Sequence, residues 1–428
     1  MKTVKPMGIL IIKSRQDLHL IKSNMIVVFE TGCISVPADW TMTRLENVHI
    51  LGNTAPGGKV LFKDNPVVMI DCKNIEFLSC AFRLTRREGA NPEHYEKIWN
   101  SPKILHDNTA HDAGEHTKFR NISFVHCSMS GNTDEIDAGP INHYVWRRDN
   151  AEYQFCGYGL LFHNCIIGPS SLGKMRGRER HNFGTATSHV DNVRIINCVY
   201  AGHNRRMNQF HGRGMQQGCV IYGYGTQAIG IKSGSVVDIR NNLFLPSSNT
   251  PHEYTPGGDR LAPIRFVSGS SGTAQIQVTD NHEVFTTGKH WFPRSSGNTL
   301  EEALSRGFVD SYDKGHPQDF EPIDIKEDPW AKEDCRLQKI GLGVLDIAGC
   351  FNRDQLDENT CRGIRAGDLG WRDSDEFGNS LTDYLEKDPY LPMDAMIPDL
   401  IQYPSPSDPY NFDLLTTLRK IKKGLREQ

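Results

Sequence analysis

The feature that most constrains this chain is a short apolar strand pattern that recurs along it and ends each time in cysteine or asparagine. Seven such segments end at Asn53, Cys80, Cys127, Cys165, Cys198, Asn242 and Asn281. Consecutive end points lie 27 to 47 residues apart, so the connecting loops vary in length while the strand frame is kept. A solenoid with loops of unequal length has this property, because equivalent side chains stack in columns from one coil to the next.

Alternation within the segments indicates strands with one buried face. In residues 121–126, for example, Ile122 and Phe124 share one face and Ser123 lies on the other. Asn tolerates the left-handed backbone of a turn after a strand and can stack its amide on the next Asn, and Cys is small enough for the same column. The pattern therefore predicts an all-β parallel β-helix in which Cys80, Cys127, Cys165 and Cys198 stand in one interior column as reduced thiols.

Composition excludes several classes of protein. With 48 basic and 52 acidic residues among 428, the net charge of −4 does not suit a strongly basic nucleic-acid binder. No apolar stretch approaches the roughly 20 residues that cross a bilayer, and residues 1–13 do not read as a signal peptide. The 11 cysteines, an odd number, cannot all pair within one chain, and unpaired thiols fit synthesis in a reducing compartment. We therefore expect neither nucleic-acid binding nor membrane insertion.

Strand patterns and Gly/Asn turns fill residues 1–295, which we predict to form the β-helix. Residues 296–428 are richer in Asp, Glu, Pro and Lys. We predict that they form an irregular, partly helical extension that wraps or caps the coil and ends in a short helix.

Short motifs then follow one another in a familiar order. They are T-A-P-G-G at 54–58, D-A at 112–113, H-C-S at 126–128 with T-D-E at 133–135, G-H-N-R-R at 202–206, V-D-I-R-N-N at 237–242, V-L-D-I-A-G at 344–349 and R-D-Q-L-D at 353–357. This series resembles pectate lyase-like proteins, the polysaccharide lyases with a right-handed parallel β-helix. Each motif is short, so the specificity of the resemblance comes from their order.

The resemblance implies Ca²⁺-assisted β-elimination of an acidic, uronate-containing polysaccharide. Ca²⁺ prefers several carboxylate oxygens, and the implied metal ligands are Asp112, Asp134 and Asp137. Removal of a proton next to a uronate carboxylate builds up negative charge that cations stabilise. The implied catalytic residues are Arg206, as the base, and Lys174. The implied substrate-binding residues are Arg178, Arg205, His211 and Arg213.

Departures from the family pattern leave a second function open. The Asp expected before His126 is Val125, and Asn208, Gln209 and His211 replace a Pro and two Arg residues after Arg206. Such changes around one site also suit a bacteriophage virion or tailspike-type β-helix that binds or degrades host surface polysaccharide. That alternative leaves open a homotrimer or assembly into a virion. Both functions favour an extracellular or virion-associated location over a cytoplasmic role.

Overall fold

The structure is a computed structural model, and it is dominated by short β-strands. It describes residues 8–56, 58–83, 101–107, 118–130, 136–140, 155–163, 165–167, 184–196, 198–201, 205–222, 224, 227–245, 262–266, 273–287, 290–311 and 320–322. The described strands form three sheets of eleven, ten and nine strands, here called A, B and C. No described helix is long and apolar enough to cross a membrane.

The strands are numbered in chain order. Sheet A contains β1 Gly8–Ile12, β2 Met25–Phe29, β5 Glu46–Leu51, β8 Lys73–Leu78, β11 Phe119–Val125, β14 Gly157–His163, β17 Val190–Ile196, β20 Arg213–Gln217, β23 Val236–Arg240, β26 Ala274–Thr279 and β30 Phe320–Pro322. Sheet B contains β3 Cys33–Ser35, β6 Val60–Lys63, β9 Cys80–Arg83, β12 Ser128–Ser130, β15 Ile166–Ile167, β18 Val199–Ala201, β21 Val220–Tyr222, β24 Leu243–Leu245, β27 His282–Thr287 and β28 His290–Ser295. Sheet C contains β4 Met42–Thr43, β7 Val68–Ile70, β10 Lys103–His106, β13 Ile136–Pro140, β16 Thr185–Thr187, β19 Arg205–Phe210, β22 Gln227–Ile231, β25 Ile264–Phe266 and β29 Val309–Ser311.

The order of the strands defines a coil. From β2 to β25 the chain visits sheets A, B and C in turn, and each strand pairs in parallel with the strand three places earlier. The β27–β28 pair is an antiparallel hairpin at the end of sheet B. This topology confirms the predicted all-β parallel β-helix.

Inward-facing side chains from the three sheets fill the coil. Phe77, Phe124 and Phe162 occupy one register position on β8, β11 and β14. Their rings stack at centroid distances of 5.2 and 5.3 Å, nearly parallel, an arrangement that adds to the stabilisation from burial. Apolar alternation in the sequence therefore places these residues correctly.

The cysteine and asparagine column lies at the short turn from sheet A to sheet B. From Cys165 onward, each member of the column donates its backbone N–H to the side chain of the next. The acceptors in order are Cys198 Sγ at 3.4 Å, Cys219 Sγ at 3.4 Å, Asn242 Oδ1 at 2.9 Å, Asn281 Oδ1 at 3.1 Å and Ser296 Oγ at 3.0 Å. The column predicted from the sequence is thus present, and it also contains Cys219 and Ser296.

The left-handed backbone falls one residue before the column, not within it. Positive φ angles occur at Ser79, His126, Asn241 and Asp280, directly before Cys80, Cys127, Asn242 and Asn281. A second column, of Asn24, Asn47, Asn74 and Asn121, lies near the start of the sheet A strands, also at positive φ. Its side-chain amides are joined at 2.8 to 2.9 Å.

A short helix packs on the apolar core near each end of the described coil. A 3-10 helix, Arg15–Leu20, places Leu18 over the first coil, where the Leu18 carbonyl accepts from Trp40 Nε1 at 2.9 Å. A second 3-10 helix is Gly52–Thr54. The α-helix α1, Leu300–Ser305, has a capping box between Thr299 and Glu302.

Two strands follow residue 295, the predicted end of the β-helix. β29 pairs with β25 and β30 pairs with β26, so both extend the sheets of the coil. Residues 323–428 lie outside the described part, and the predicted division at 295 stays a prediction.

Candidate active site

Most of the predicted site residues fall, in chain order, between a strand of sheet B and the end of the next strand of sheet C, whereas Asp112, His211 and Arg213 follow a sheet C strand. Asp134 precedes β13, and Arg205 and Arg206 open β19. Lys174 and Arg178 fall in the connection between β15 and β16. Asp112, Asp134, Lys174 and Arg178 lie outside the described residues, so their predicted roles stay predictions.

Position 137 lies within sheet C, near the strand that carries Arg206. Asp137 pairs in register with Lys103 on β10 and with Ala186 on β16, and Ala186 pairs with Gln209 on β19. Two strand spacings, roughly 9.6 Å, therefore separate the backbones at 137 and 209. Lys103 adds a cation beside position 137 that sequence reasoning missed, because residues 101–106 carry no motif.

Arg206 lies in a β-bulge. Arg205 pairs with Gln227 and Asn208 pairs with Ile229, so two residues of β19, Arg206 and Met207, oppose the single residue 228 of β22. Arg206 has φ 51°, in the left-handed region, and its side chain is half-buried. Bulges occur next to active sites because they re-aim a side chain relative to its strand. Arg206, the residue predicted as the base, therefore lies in this bulge, and its catalytic role stays a prediction.

A close backbone approach adjoins the bulge. The N–H of Gly184 donates to the carbonyl of Arg206 at 3.3 Å. A Cβ on Gly184 would lie 2.2 Å from the Met207 carbonyl oxygen, so only glycine fits. Inside the coil, Thr185 Oγ1 lies 2.7 Å from the Tyr200 hydroxyl, and burial raises the pKa of Tyr200.

Two departures from the family pattern have structural roles. Asn208 is fully buried inside the coil and donates Nδ2 to Gln216 Oε1 at 3.1 Å. Gln209 donates Nε2 to the Thr187 carbonyl at 3.1 Å. These amides thus tie the part of β19 that follows the bulge to β20 and β16.

His211 and Arg213 lie further along, where the chain passes from sheet C to sheet A. The His211 ring contacts His189, with centroids 4.0 Å apart. Arg213 forms an ion pair with the buried carboxylate of Asp191, with Nη2 at 2.5 Å and Nε at 2.9 Å. The fold places both residues at a different turn from Arg206, and their predicted contact with substrate stays a prediction.

The implied metal ligands can be assessed only in part. Among the described residues, no group of three or more His, Cys, Asp or Glu side chains is arranged to hold a metal ion. Asp112 and Asp134 fall outside those residues, and Asp137 is described only in its backbone. Three carboxylates are the donor set that Ca²⁺ prefers, and Ca²⁺ binding stays a prediction.

Comparisons with known proteins give a likeness in fold. No protein-family model and no curated protein matches the chain. Among solved structures, the chain is similar to the pectate lyase pelN from Paenibacillus sp. 0602, with 10% identity, 76% of this chain and 85% of that chain covered, and a TM-score of 0.40. It is also similar to ORF18 of Geobacillus virus E2, with 13% identity, 67% and 55% covered, and a TM-score of 0.32. The β-helix itself follows from the three parallel sheets.

Proposed function

We propose that this protein is a pectate lyase-like enzyme that cleaves an acidic, uronate-containing polysaccharide by β-elimination. The observation that carries this proposal is the bulge that presents Arg206 from sheet C, on the strand two places from Asp137. In this reaction a base removes the proton at C5 of the uronate. The electron pair left on C5 forms the C4–C5 double bond, and the oxygen on C4 leaves with the rest of the chain.

Arg206 would be the proton acceptor, which requires a lowered pKa because a free guanidinium stays protonated above pH ~12. Neighbouring positive charge lowers the pKa of a cation. Arg205, next to Arg206 in the chain, and the predicted Lys174 and Arg178 would supply this charge, whereas Lys103 on β10 lies three strands from β19, roughly 14 Å away.

Asp112, Asp134 and Asp137 would hold Ca²⁺, which supplies positive charge to the substrate carboxylate when bound. Arg178, Arg205, His211 and Arg213 would orient the polysaccharide. On this proposal Asn208 and Gln209 do not contact substrate, since their amides hold β19 in place.

The test is the ultraviolet absorbance of the unsaturated product when the protein is incubated with polygalacturonate and Ca²⁺. Loss of a general base lowers rates by about 10²- to 10⁴-fold. The rate of product formation by Arg206→Ala should therefore be lower than that of the wild type by a factor in this range. Arg120→Ala is the matched control, because it removes the same charge from sheet A, where Arg120 lies over the Tyr158 ring. A wild type without product absorbance, or an Arg206→Ala variant as active as Arg120→Ala, would refute the proposal.

A virion component that grips host polysaccharide is the second candidate. It is favoured by the burial of seven of the eight described cysteines, since buried thiols suit folding in the reducing cytoplasm before release by lysis. Binding of an acidic polysaccharide without product absorbance, together with a trimeric mass in solution, would support this candidate over the lyase.

A further inference from the structure

An open pocket lies at the amino-terminal end of the coil, apart from the candidate active site. It has a volume of about 350 Å³, which is within the range of small-ligand sites. Its wall combines Arg15 with two turns that lead from sheet B to sheet C, residues 35–38 after β3 and residues 64–65 after β6.

The pocket offers one cation with no partner. Within the described part of the chain, the guanidinium of Arg15 makes no hydrogen bond or ion pair, and the residue is exposed. Its backbone is nevertheless well anchored, because Asp17 Oδ2 accepts from the backbone N–H groups of Lys13 and Ser14 at 3.0 and 2.8 Å. The backbone beside Arg15 is thus held at the wall of the pocket, and the Arg15 guanidinium is available to an anionic ligand.

The remaining polar groups suit hydroxyls. Asn65 donates Nδ2 to the Val36 carbonyl at 2.7 Å, which fixes its amide and leaves Oδ1 as an acceptor. The Ser35 hydroxyl and the Asp64 carboxylate add further polar groups to the wall. Pro37 and the buried Val36 supply an apolar surface beside them. One exposed cation, several acceptors and an apolar wall match a sugar ring that bears a carboxylate and hydroxyls.

The pocket and the candidate active site share one side of the coil. The pocket turns lead into β4 and β7, and Arg206 lies on β19, four strands beyond β7 in sheet C. At about 4.8 Å per strand the separation is roughly 19 Å. A polysaccharide that lies along this side of the coil would therefore extend from one to the other.

We infer that this pocket binds an acidic sugar unit of a glycan, with Arg15 pairing the carboxylate and Ser35, Asp64 and Asn65 binding hydroxyls. The choice of a uronate as that sugar rests on the proposed function, whereas the recognition by charge and hydroxyls does not. No residue of the pocket belongs to the predicted calcium or catalytic set.

The test is calorimetric titration of the full chain with digalacturonate in the presence of a calcium chelator, which leaves the calcium-dependent cleavage site unloaded. Arg15→Gln should weaken binding by about tenfold or more, since it removes a charge-assisted hydrogen bond. Ala38→Trp should weaken it as well by filling the pocket. Lys13→Gln is the matched control: it removes an equal charge two residues away, where Lys13 pairs with Glu30, and it should bind like the wild type.

The uncharged methyl ester of digalacturonate should bind the wild type and Arg15→Gln equally. Equal digalacturonate affinity of Arg15→Gln and wild type, an equal loss in Lys13→Gln, or binding only when Ca²⁺ is present would each overturn the inference. Absence of lyase activity leaves this test intact, because it measures binding and not turnover.

Discussion

Replacement of Asn242 by alanine tests whether the interior column holds adjacent coils together. The fully buried Asn242 side chain accepts from the Cys219 N–H at 2.9 Å and donates to the Gln216 carbonyl at 3.0 Å and to Asn281 Oδ1 at 2.8 Å. Truncation leaves the Cys219 N–H and the Gln216 carbonyl buried without these partners. Each such group costs about 1–3 kcal/mol, so we expect the free energy of unfolding to fall by about 2–6 kcal/mol.

The chain itself suggests the rescue variant. Cysteine at the preceding rungs accepts the same kind of N–H, as Cys219 Sγ does from Cys198, and donates to the equivalent carbonyl, as Cys219 Sγ does to Ile195 at 3.7 Å. Asn242→Cys should therefore recover much of the loss. Asn241→Ala is the control at the neighbouring exposed position, where φ is 54°. Because alanine is disfavoured in the left-handed region, this variant should lower the free energy of unfolding by about 1–2 kcal/mol.

Urea unfolding under reducing conditions measures these free energies, and hydrogen exchange at the Cys219 amide reports the local effect. A solenoid need not unfold in one step. The exchange rate of the Cys219 amide therefore provides an independent check on the free energy of unfolding measured with urea. An Asn242→Ala variant within about 1 kcal/mol of wild type, or an Asn242→Cys variant no more stable than Asn242→Ala, would refute this account of the column.

Two further predictions concern buried ionisable groups. Among the eight described cysteines only Cys33 is exposed, and burial raises the pKa of Cys72 to about 11. A disulfide reagent followed by peptide mapping should thus label Cys33 in the native protein and the other seven only after unfolding; native labelling of Cys165 would contradict this. Burial also raises the pKa of Glu76 above its usual 4.5, against the opposing effect of its hydrogen bond to His49. Since the folded state holds that proton more tightly, this carboxyl lowers the free energy of unfolding as pH rises through 4.5 and above. Urea unfolding at a series of pH values measures this decline in the free energy of unfolding. Glu76→Gln should reduce the decline, and an unchanged decline would show that Glu76 is not its source.

The sequence predicts much of the coil because its column residues follow recognisable apolar strands. Cys219 escaped detection because the strand before it, Arg213–Gln217, looks polar. Gln216 in that strand is nevertheless fully buried in the coil, where its Oε1 accepts from Asn208 Nδ2. A buried polar pair from two sheets cannot be recognised from either segment alone.

The candidate site was predictable in residue type but not in geometry. Arg206 is identified by its motif, whereas its bulge depends on how β19 registers with β22, and that register is set by residues outside the motif. Likewise, the pairing of Lys103 with position 137 depends on coil stacking across a long connection. The sequence identifies Arg213 only as a positively charged residue. The fold shows that it forms an ion pair with Asp191.

The backbone N–H groups of the column from Cys165 onward all donate in the same direction along the chain. From Cys165 to Asn281, each backbone N–H is satisfied by a side chain that comes later in the chain, and Ser296 Oγ supplies the last acceptor. During synthesis, a coil formed from the emerging chain therefore keeps one donor unsatisfied until the next rung arrives. As synthesis proceeds from the amino to the carboxyl terminus, each new coil supplies the acceptor for the unsatisfied N–H group of the coil before it. A chain stopped before Ser296 would leave the N–H group of Asn281 without its acceptor.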